Sequence, residues 1–323
     1  MILDNDAEFH ELPAGEPLWA ETNYFGFEIP QASAHIGLYS LFRPNLGVVN
    51  SAIFANSRKV TSGWEIDYWD HRAYLPLRKQ PLTNFTLDNG LTVVCREPNR
   101  VWDISFHNDV ALDVEVTFEA LMAPFDMHDA EMNPRAKRTG TDLSASALWA
   151  GGHFDLTGKV TGEVTLRGSR YEVDSLSTMD HSWGVRSEYQ PGTMTWLQAH
   201  FSRDLAVHAM FQFDPTVPLD QPLDLDLTHG YLMRNGSVIG FKNGAGRTER
   251  NGLYQVRTTL DLVDADDREW HLVGESITQF PAEYWPGSMS MMVMKKWTMN
   301  NLTGHGTSSD FYDYSHFTKL FPG

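Results

Sequence analysis

The chain has 323 residues, of which 41% are apolar, 21% charged and 12% aromatic, which is enough apolar material for a large core and excludes a disordered or collagenous protein. Lys and Arg number 25 against 42 Asp and Glu, so the formal net charge of −17 repels a phosphate backbone and excludes DNA and RNA as partners. No stretch approaches the roughly 18 consecutive apolar residues of a membrane-spanning helix, and the opening MILDNDAEFH lacks the basic start and apolar run of a signal peptide, so a soluble cytoplasmic protein is expected.

In chain order, apolar residues almost nowhere recur at helical spacing. Short alternating runs bounded by Gly, Asn, Asp and Pro recur instead and predict an all-β chain. Residues 91–95 follow the pair Asn89-Gly90, whose tolerance of positive φ suits a hairpin turn. The single cysteine, Cys95, lies in that strand and reads as a buried, inert thiol. Residues 110–118 alternate Val110, Leu112, Val114, Val116 and Phe118 with polar partners, a strand with one wet face. Residues 124–146 lack alternation and read as a long excursion, a candidate lid. A Gly-bounded composition shift over 158–169 suggests two domains, 1–165 and 166–323. Beyond it come a strand at 170–176, a pair within 198–213 turning at Ser202-Arg203-Asp204, a hairpin on Asn235-Gly236, and another on residues 264–267. No repeat of roughly 20 to 50 residues is present, which disfavours a propeller or solenoid.

The sharp catalytic motifs are absent: no GxSxG, GxxxxGK[ST], HExxH, paired CxxC or helix-opening GxGxxG occurs. Asp126, His128, Asp129 and Glu131, and separately Asp310, Asp313 and His316, offer metal-ligand types, but solvated loops of so acidic a chain have the same composition, and no metal is expected. The segment Asp180-His181-Ser182-Trp183-Gly184-Val185-Arg186 is different, because it gathers an acid, an imidazole, an indole and a guanidinium. If extended, it puts His181 and Trp183 on one face, Asp180 and Ser182 on the other. His181 then moves a proton beside an indole that stabilises positive charge, with Asp180 or Arg186 setting its protonation. A structural corner with Trp183 in the core and Asp180 paired to Arg186 accounts for the same residues.

The Asp-His-Ser-Trp-Gly run, preceded by Gly152-His153-Phe154 and Thr161-Gly162-Glu163-Val164, resembles the AttH-like and carotenoid 1,2-hydratase (hydroxyneurosporene synthase) superfamily. Tyr24-Phe25-Gly26-Phe27, Gly37-Leu38-Tyr39 and Arg43-Pro44-Asn45 extend the likeness over most of the chain. The resemblance implies two lipocalin-like, calycin-type antiparallel β-barrel or β-sandwich domains. It also implies cofactor-free acid–base chemistry on a hydrophobic small molecule: hydration, dehydration, isomerisation or cyclisation of an isoprenoid-like or polyketide-like substrate. His181 and Trp183 match the superfamily's His-x-Trp pair, while the segment at the distance of its Tyr-x-Asp pair is Phe211-Gln212-Phe213-Asp214, which has the Asp but no Tyr.

On this reading Asp180 and His181 share acid and base roles, Trp183 stabilises cationic character, and Asp214 is a second carboxyl kept protonated by burial beside Trp183 and Phe213. Tyr24, Arg43, Arg186, Phe213 and Trp285 are the candidate substrate contacts, and Trp64, Tyr68, Trp69, Tyr74 and Trp297 are further aromatic candidates for an apolar cavity. The alternative is a non-catalytic lipocalin-like carrier of a hydrophobic ligand.

Overall fold

The alternation in the sequence becomes antiparallel strand almost throughout the computed structural model, which describes residues 1–108, 111–136, 151–186, 192–285 and 287–320. The chain divides into two units: Met1–Ser57 with Ile66–Asp126 and Trp149–Arg186, and Arg58–Glu65 with Met127–Leu148 and Ser187–Gly323. Both are all-β, as expected for lipocalin-like domains. No helix among the described residues is long and apolar enough to cross a membrane.

The first unit contains β1 (Trp19–Ile29), β2 (Ala34–Arg43), β3 (Val48–Asn56), β4 (Tyr68–Pro76), β5 (Asn84–Thr86), β6 (Thr92–Glu97), β7 (Val101–Asn108), β8 (Leu112–Ala120), β9 (Phe125–Asp126), β10 (Gly152–Leu166) and β11 (Ser169–Val185). They form one sheet in the order β4-β3-β2-β1-β11-β10-β8-β7-β6-β5, with β9 against β10. β8 keeps the predicted alternation, burying Leu112, Val114, Val116 and Phe118, and Asn89-Gly90 lies in the turn joining β5 to β6. The centre of the sheet is the β10–β11 hairpin, in register from Leu166↔Ser169 to Gly152↔Trp183, with β1 on the other edge of β11.

The domain limit drawn at 165/166 meets the turn of this hairpin, whose Arg167 and Gly168 hold φ of 51° and 78°. The composition shift there comes from that turn, and both strands remain in the first unit, which runs to Arg186. Gly162, at φ 145°, lies so close to β8 that a Cβ would meet the Glu115 carbonyl oxygen at 2.1 Å. Gly162→Ala is therefore expected to cost about 2–4 kcal/mol, read as a lowered denaturation midpoint with unchanged m-value.

The second unit contains β12 (Met194–Ser202), β13 (Leu205–Gln212), β14 (Leu223–Arg234), β15 (Ser237–Asn251), β16 (Tyr254–Asp264), β17 (Glu269–Ser276), β18 (Phe280–Ala282), β19 (Ser288–Met299), β20 (Leu302–Asp313) and the helix α1 (Tyr314–Leu320). Eight strands in the order β17-β16-β15-β14-β13-β12-β20-β19 close into a barrel through β17–β19 pairing. The Asn235-Gly236 turn joins paired Arg234 and Ser237 at φ of 50° and 76°, and residues 198–213 divide into β12 and β13 as predicted.

Leu197, Val207, Phe211, Leu260, Val293 and Trp297 belong to the packed barrel core. Within the barrel wall, buried Lys295 donates to Thr258 Oγ1, Thr258 to Gln255 Oε1 at 3.2 Å, and Gln255 Nε2 to Asp310 Oδ1 at 2.6 Å. Burial pushes Lys295 down to about 7 and Asp310 up to about 6, each opposed by the other's charge. Asp310 thus serves this network, and it is not grouped with Asp313 and His316 in any set of ligand atoms close enough to share an ion among the described residues.

Trp64 and Tyr74 are 97% and 75% exposed and line no interior, which corrects their expected place in a cavity. The excursion at 124–146 begins with β9 and continues through turns to 136, where Arg135 Nε donates to the Thr228 carbonyl at 3.0 Å. The remainder of the candidate lid, 137–146, lies outside the described residues.

Candidate active site

β11 is paired on both sides, so its alternation fixes two faces across three strands. Glu21, His181, Trp183, Gly152 and Phe154 share one face, because Glu21 is in register with Trp183, Gly152 with Trp183, and Phe154 with His181. Thr22, Tyr24, Asp180, Ser182, His153 and Asp155 share the other. The alternation read from the sequence holds, and it separates Asp180 from His181.

On the first face, the indole of Trp183 is a platform. Its room comes from glycine: a Cβ at Gly152 would lie 2.1 Å from the Trp183 ring, and one at Gly151 would also collide with it. The His10 ring lies flat on the indole with centroids 3.9 Å apart and planes at 12°. His181 lies beside it, 5.2 Å from the indole at 29°, with Phe154 edge-on at 5.6 Å. Glu21, fully buried, comes in from β1. Its Oε2 is 3.1 Å from His10 Nδ1 and 3.8 Å from His181 Nε2, while its Oε1 accepts from the His10 backbone N–H at 2.8 Å and from Trp19 Nε1 at 3.2 Å.

The hydrogen bonds assign the His181 tautomer. Nδ1–H donates to the Thr22 carbonyl at 2.7 Å, so Nε2 carries the lone pair of the neutral ring and has no hydrogen-bond partner. Burial lowers its pKa to about 4 against the opposing pull of Glu21 and the Thr22 carbonyl, so the ring is neutral at pH 7.

His10 arrives on a strap outside the sheet. Phe9 packs edge-on against Phe42 with centroids 5.4 Å apart, and the Glu8 carboxylate accepts from Thr83 Oγ1 at 2.7 Å and from the Leu82 and Thr83 backbone N–H groups. The far nitrogen of His10, Nε2, is 3.4 Å from Asp6 Oδ1. His10, Glu21 and His181 form a group whose donor atoms lie within 4.8 Å of one another, a set able to hold a metal ion, as are His153, Asp155 and Asp180 on the second face.

The other predicted site residues are dispersed. Tyr24 and Asp180 are register partners on the second face, where Tyr24 OH hydrogen-bonds His35 Nε2 at 3.0 Å and His153 Nε2 is 3.1 Å from Asp155 Oδ2. Burial alone lowers the His153 pKa, but the charges of Asp155 and Asp180 outweigh it and the net shift is upward. Arg43 donates from its guanidinium to the backbone carbonyls of Leu18 and Arg186, while Arg186 N–H also reaches the Leu18 carbonyl, so both arginines tie chain crossings together.

Asp214 lies in the second unit, exposed, with its pKa lowered by hydrogen bonds from Thr216. This removes the burial argument for a neutral Asp214 acid. Phe213 packs on Tyr312 at 5.2 Å and Trp285 stacks on Phe311 at 5.4 Å, both inside the second unit. Burial raises the Cys95 thiol to about 11, which leaves it inert as expected. Sequence reasoning missed His10 and Glu21. The signal for Glu21 was an acid set among the apolar and aromatic residues of β1, a strand buried along its whole length, whereas His10 had none, being delivered by an irregular strap.

Among the solved structures that the fold matches are the following two. Kievitone hydratase from Nectria haematococca aligns with a TM-score of 0.54 at 10% identity, over 92% of this chain and 90% of that one. An AttH-assigned protein from Nitrosomonas europaea aligns with a TM-score of 0.51 at 12% identity, over 93% and 97%. At these identities the likeness is one of fold, and at that level it agrees with the resemblance in the sequence. No curated protein sequence matches the chain. A family profile covers residues 4–312, and the chain belongs to the family described as a domain of unknown function, DUF7064.

Proposed function

We propose that the chain is a hydro-lyase that adds water to, or removes it from, an unsaturated centre in a hydrophobic small molecule of isoprenoid-like or polyketide-like class. The observation that carries this reading is the convergence of Glu21 Oε2, His10 Nδ1 and the unpartnered His181 Nε2 between aromatic walls. Of these, Glu21 Oε2 and His181 Nε2 are acceptors that take the proton of a water molecule as its oxygen bonds to carbon, while the displaced π pair takes, at the neighbouring carbon, a proton supplied through His10, whose Nδ1–H donates to Glu21. The Trp183 ring face, on which His10 lies, stabilises positive charge on that imidazole as it relays the proton. His10, with its side chain 18% exposed and flanked by Glu21 and Asp6, connects the buried pair with bulk water. The fold shared with kievitone hydratase supports the same class of chemistry.

The test is incubation of the full chain with a panel of prenylated phenols, terpenoid alkenes and their tertiary alcohols in ¹⁸O-labelled water. Incorporation of one labelled oxygen into a panel member, abolished by Glu21→Gln, is the expected result. Tight retention of a member with neither addition, loss nor exchange of water replaces this reading with the carrier, for which the closed barrel is the supporting observation.

A further inference from the structure

We infer that His10, Glu21 and His181 bind one divalent transition-metal ion, with zinc the best fit to two imidazoles and a carboxylate. A lone ion pair between His10 and Glu21 explains their 3.1 Å contact but leaves His181 unexplained. Its Nε2, on a side chain only 2% exposed, points a lone pair at the carboxylate oxygen 3.8 Å away, and without a cation between them these two acceptors repel.

The spacing suits an ion. Two bonds of about 2.1 Å at a tetrahedral angle hold ligand atoms about 3.4 Å apart, and the observed 3.1 and 3.8 Å bracket that value. The third pair, one ring nitrogen of His10 and one of His181, lies within 4.8 Å and needs at most about 1.4 Å of closure.

The outer partners fit as well. A ligating histidine is normally fixed by a hydrogen bond from its other nitrogen to a carbonyl or carboxylate. His181 Nδ1–H has the Thr22 carbonyl at 2.7 Å, and Asp6 Oδ1, 3.4 Å from His10 Nε2 and not hydrogen-bonded to it, stands where such a partner is needed. Glu21 Oε1 is occupied by Trp19 Nε1 and the His10 N–H, which leaves Oε2 directed at both rings. Three protein ligands leave a fourth position for water, the arrangement of catalytic rather than structural zinc. Binding of the ion stands on this geometry, whereas its use to hold the reacting water rests on the hydro-lyase reading. The ion departs from the cofactor-free chemistry implied by the sequence resemblance.

The experiment is titration of the chelator-treated full chain with Zn²⁺ by calorimetry and with Co²⁺ by visible absorption. One equivalent bound, with the bands of four-coordinate cobalt, is expected. His10→Ala and Glu21→Gln should each abolish saturable binding, and Asp6→Asn should weaken it about tenfold or more. His10 lies outside the sheet, so its variant tests the inference even if substitutions in β1 or β11 fail to fold. No saturable binding, or binding that survives both His10→Ala and Glu21→Gln, overturns the inference and leaves a proton as the shared cation. Water addition that persists in the chelated protein also overturns the catalytic role of the ion while sparing the hydro-lyase reading. Binding of one ion without any hydration across the substrate panel does the reverse.

Discussion

On the proposed hydro-lyase reading, His181→Ala is expected to lower kcat by about 10²–10⁴-fold, with KM little changed, because that reading has the lost ring act on the reacting water rather than on the apolar body of the substrate. The substitution also opens a buried space between Phe154 and Trp183, so the melting temperature must be recorded with the rate. Asp180→Asn is the informative partner. Asp180 lies on the opposite face of β11, among Tyr24, His153 and Asp155, so its effect on kcat should be no more than a few-fold. An Asp180→Asn enzyme as inactive as His181→Ala would move the reaction to that second face and make His181 a structural residue. The intrinsic alternation of one strand makes the two outcomes exclusive, and steady-state kinetics on the two variants with a common substrate distinguishes them.

Stability of the metal-free protein is expected to fall by about 3 kcal/mol as the pH drops from about 6.5 to about 4, through His181 alone. The sign follows from proton uptake. The unfolded ring takes a proton near its model value of 6.5, whereas the folded ring resists until about 4, so between these values the unfolded state binds more protons. Stability is therefore full above the unfolded value and is lost as pH falls toward the folded one. His153 works in the opposite direction, since its raised pKa adds stability on the acid side, and the net slope in wild type is smaller than one proton's worth. Urea denaturation of wild type and His181→Gln at a series of pH values isolates the contribution. The acid limb should be shallower in the variant, and identical slopes would show that the folded ring is not held neutral.

The all-β class was legible because half-buried strands impose alternation, and runs such as Leu112–Phe118 and turns such as Asn235-Gly236 carry it openly. His181 and Trp183 were legible for the same local reason: three consecutive residues of an extended strand determine which side chains share a face. What joins them was not. Glu21 reaches His181 from across 160 positions of sequence, through a pairing of β1 with β11 that no local pattern announces. Asp214 was placed at the site by the resemblance to the superfamily's Tyr-x-Asp pair, and the chain leaves it in solvent instead. Gly151 and Gly152 look like an ordinary turn in the sequence, and only the indole lying over them shows why a side chain is excluded there.

The strap that carries His10 has a practical bearing on how relatives of this chain are sorted. Two of the three converging groups belong to strands that the fold needs, but the third hangs on a leading segment held by the Phe9 edge, the Glu8 carboxylate, the Asn99 amide on the Leu3 carbonyl and the Glu21 carboxylate on the His10 N–H. A homologue with a different leading segment would keep every strand and the full Asp-His-Ser-Trp-Gly signature while lacking the donor set. Screens by that signature alone would then collect chains without the three converging groups along with chains that have them, and pairing it with an acid at the third position of the first strand and a histidine 11 residues before that acid would separate the two groups.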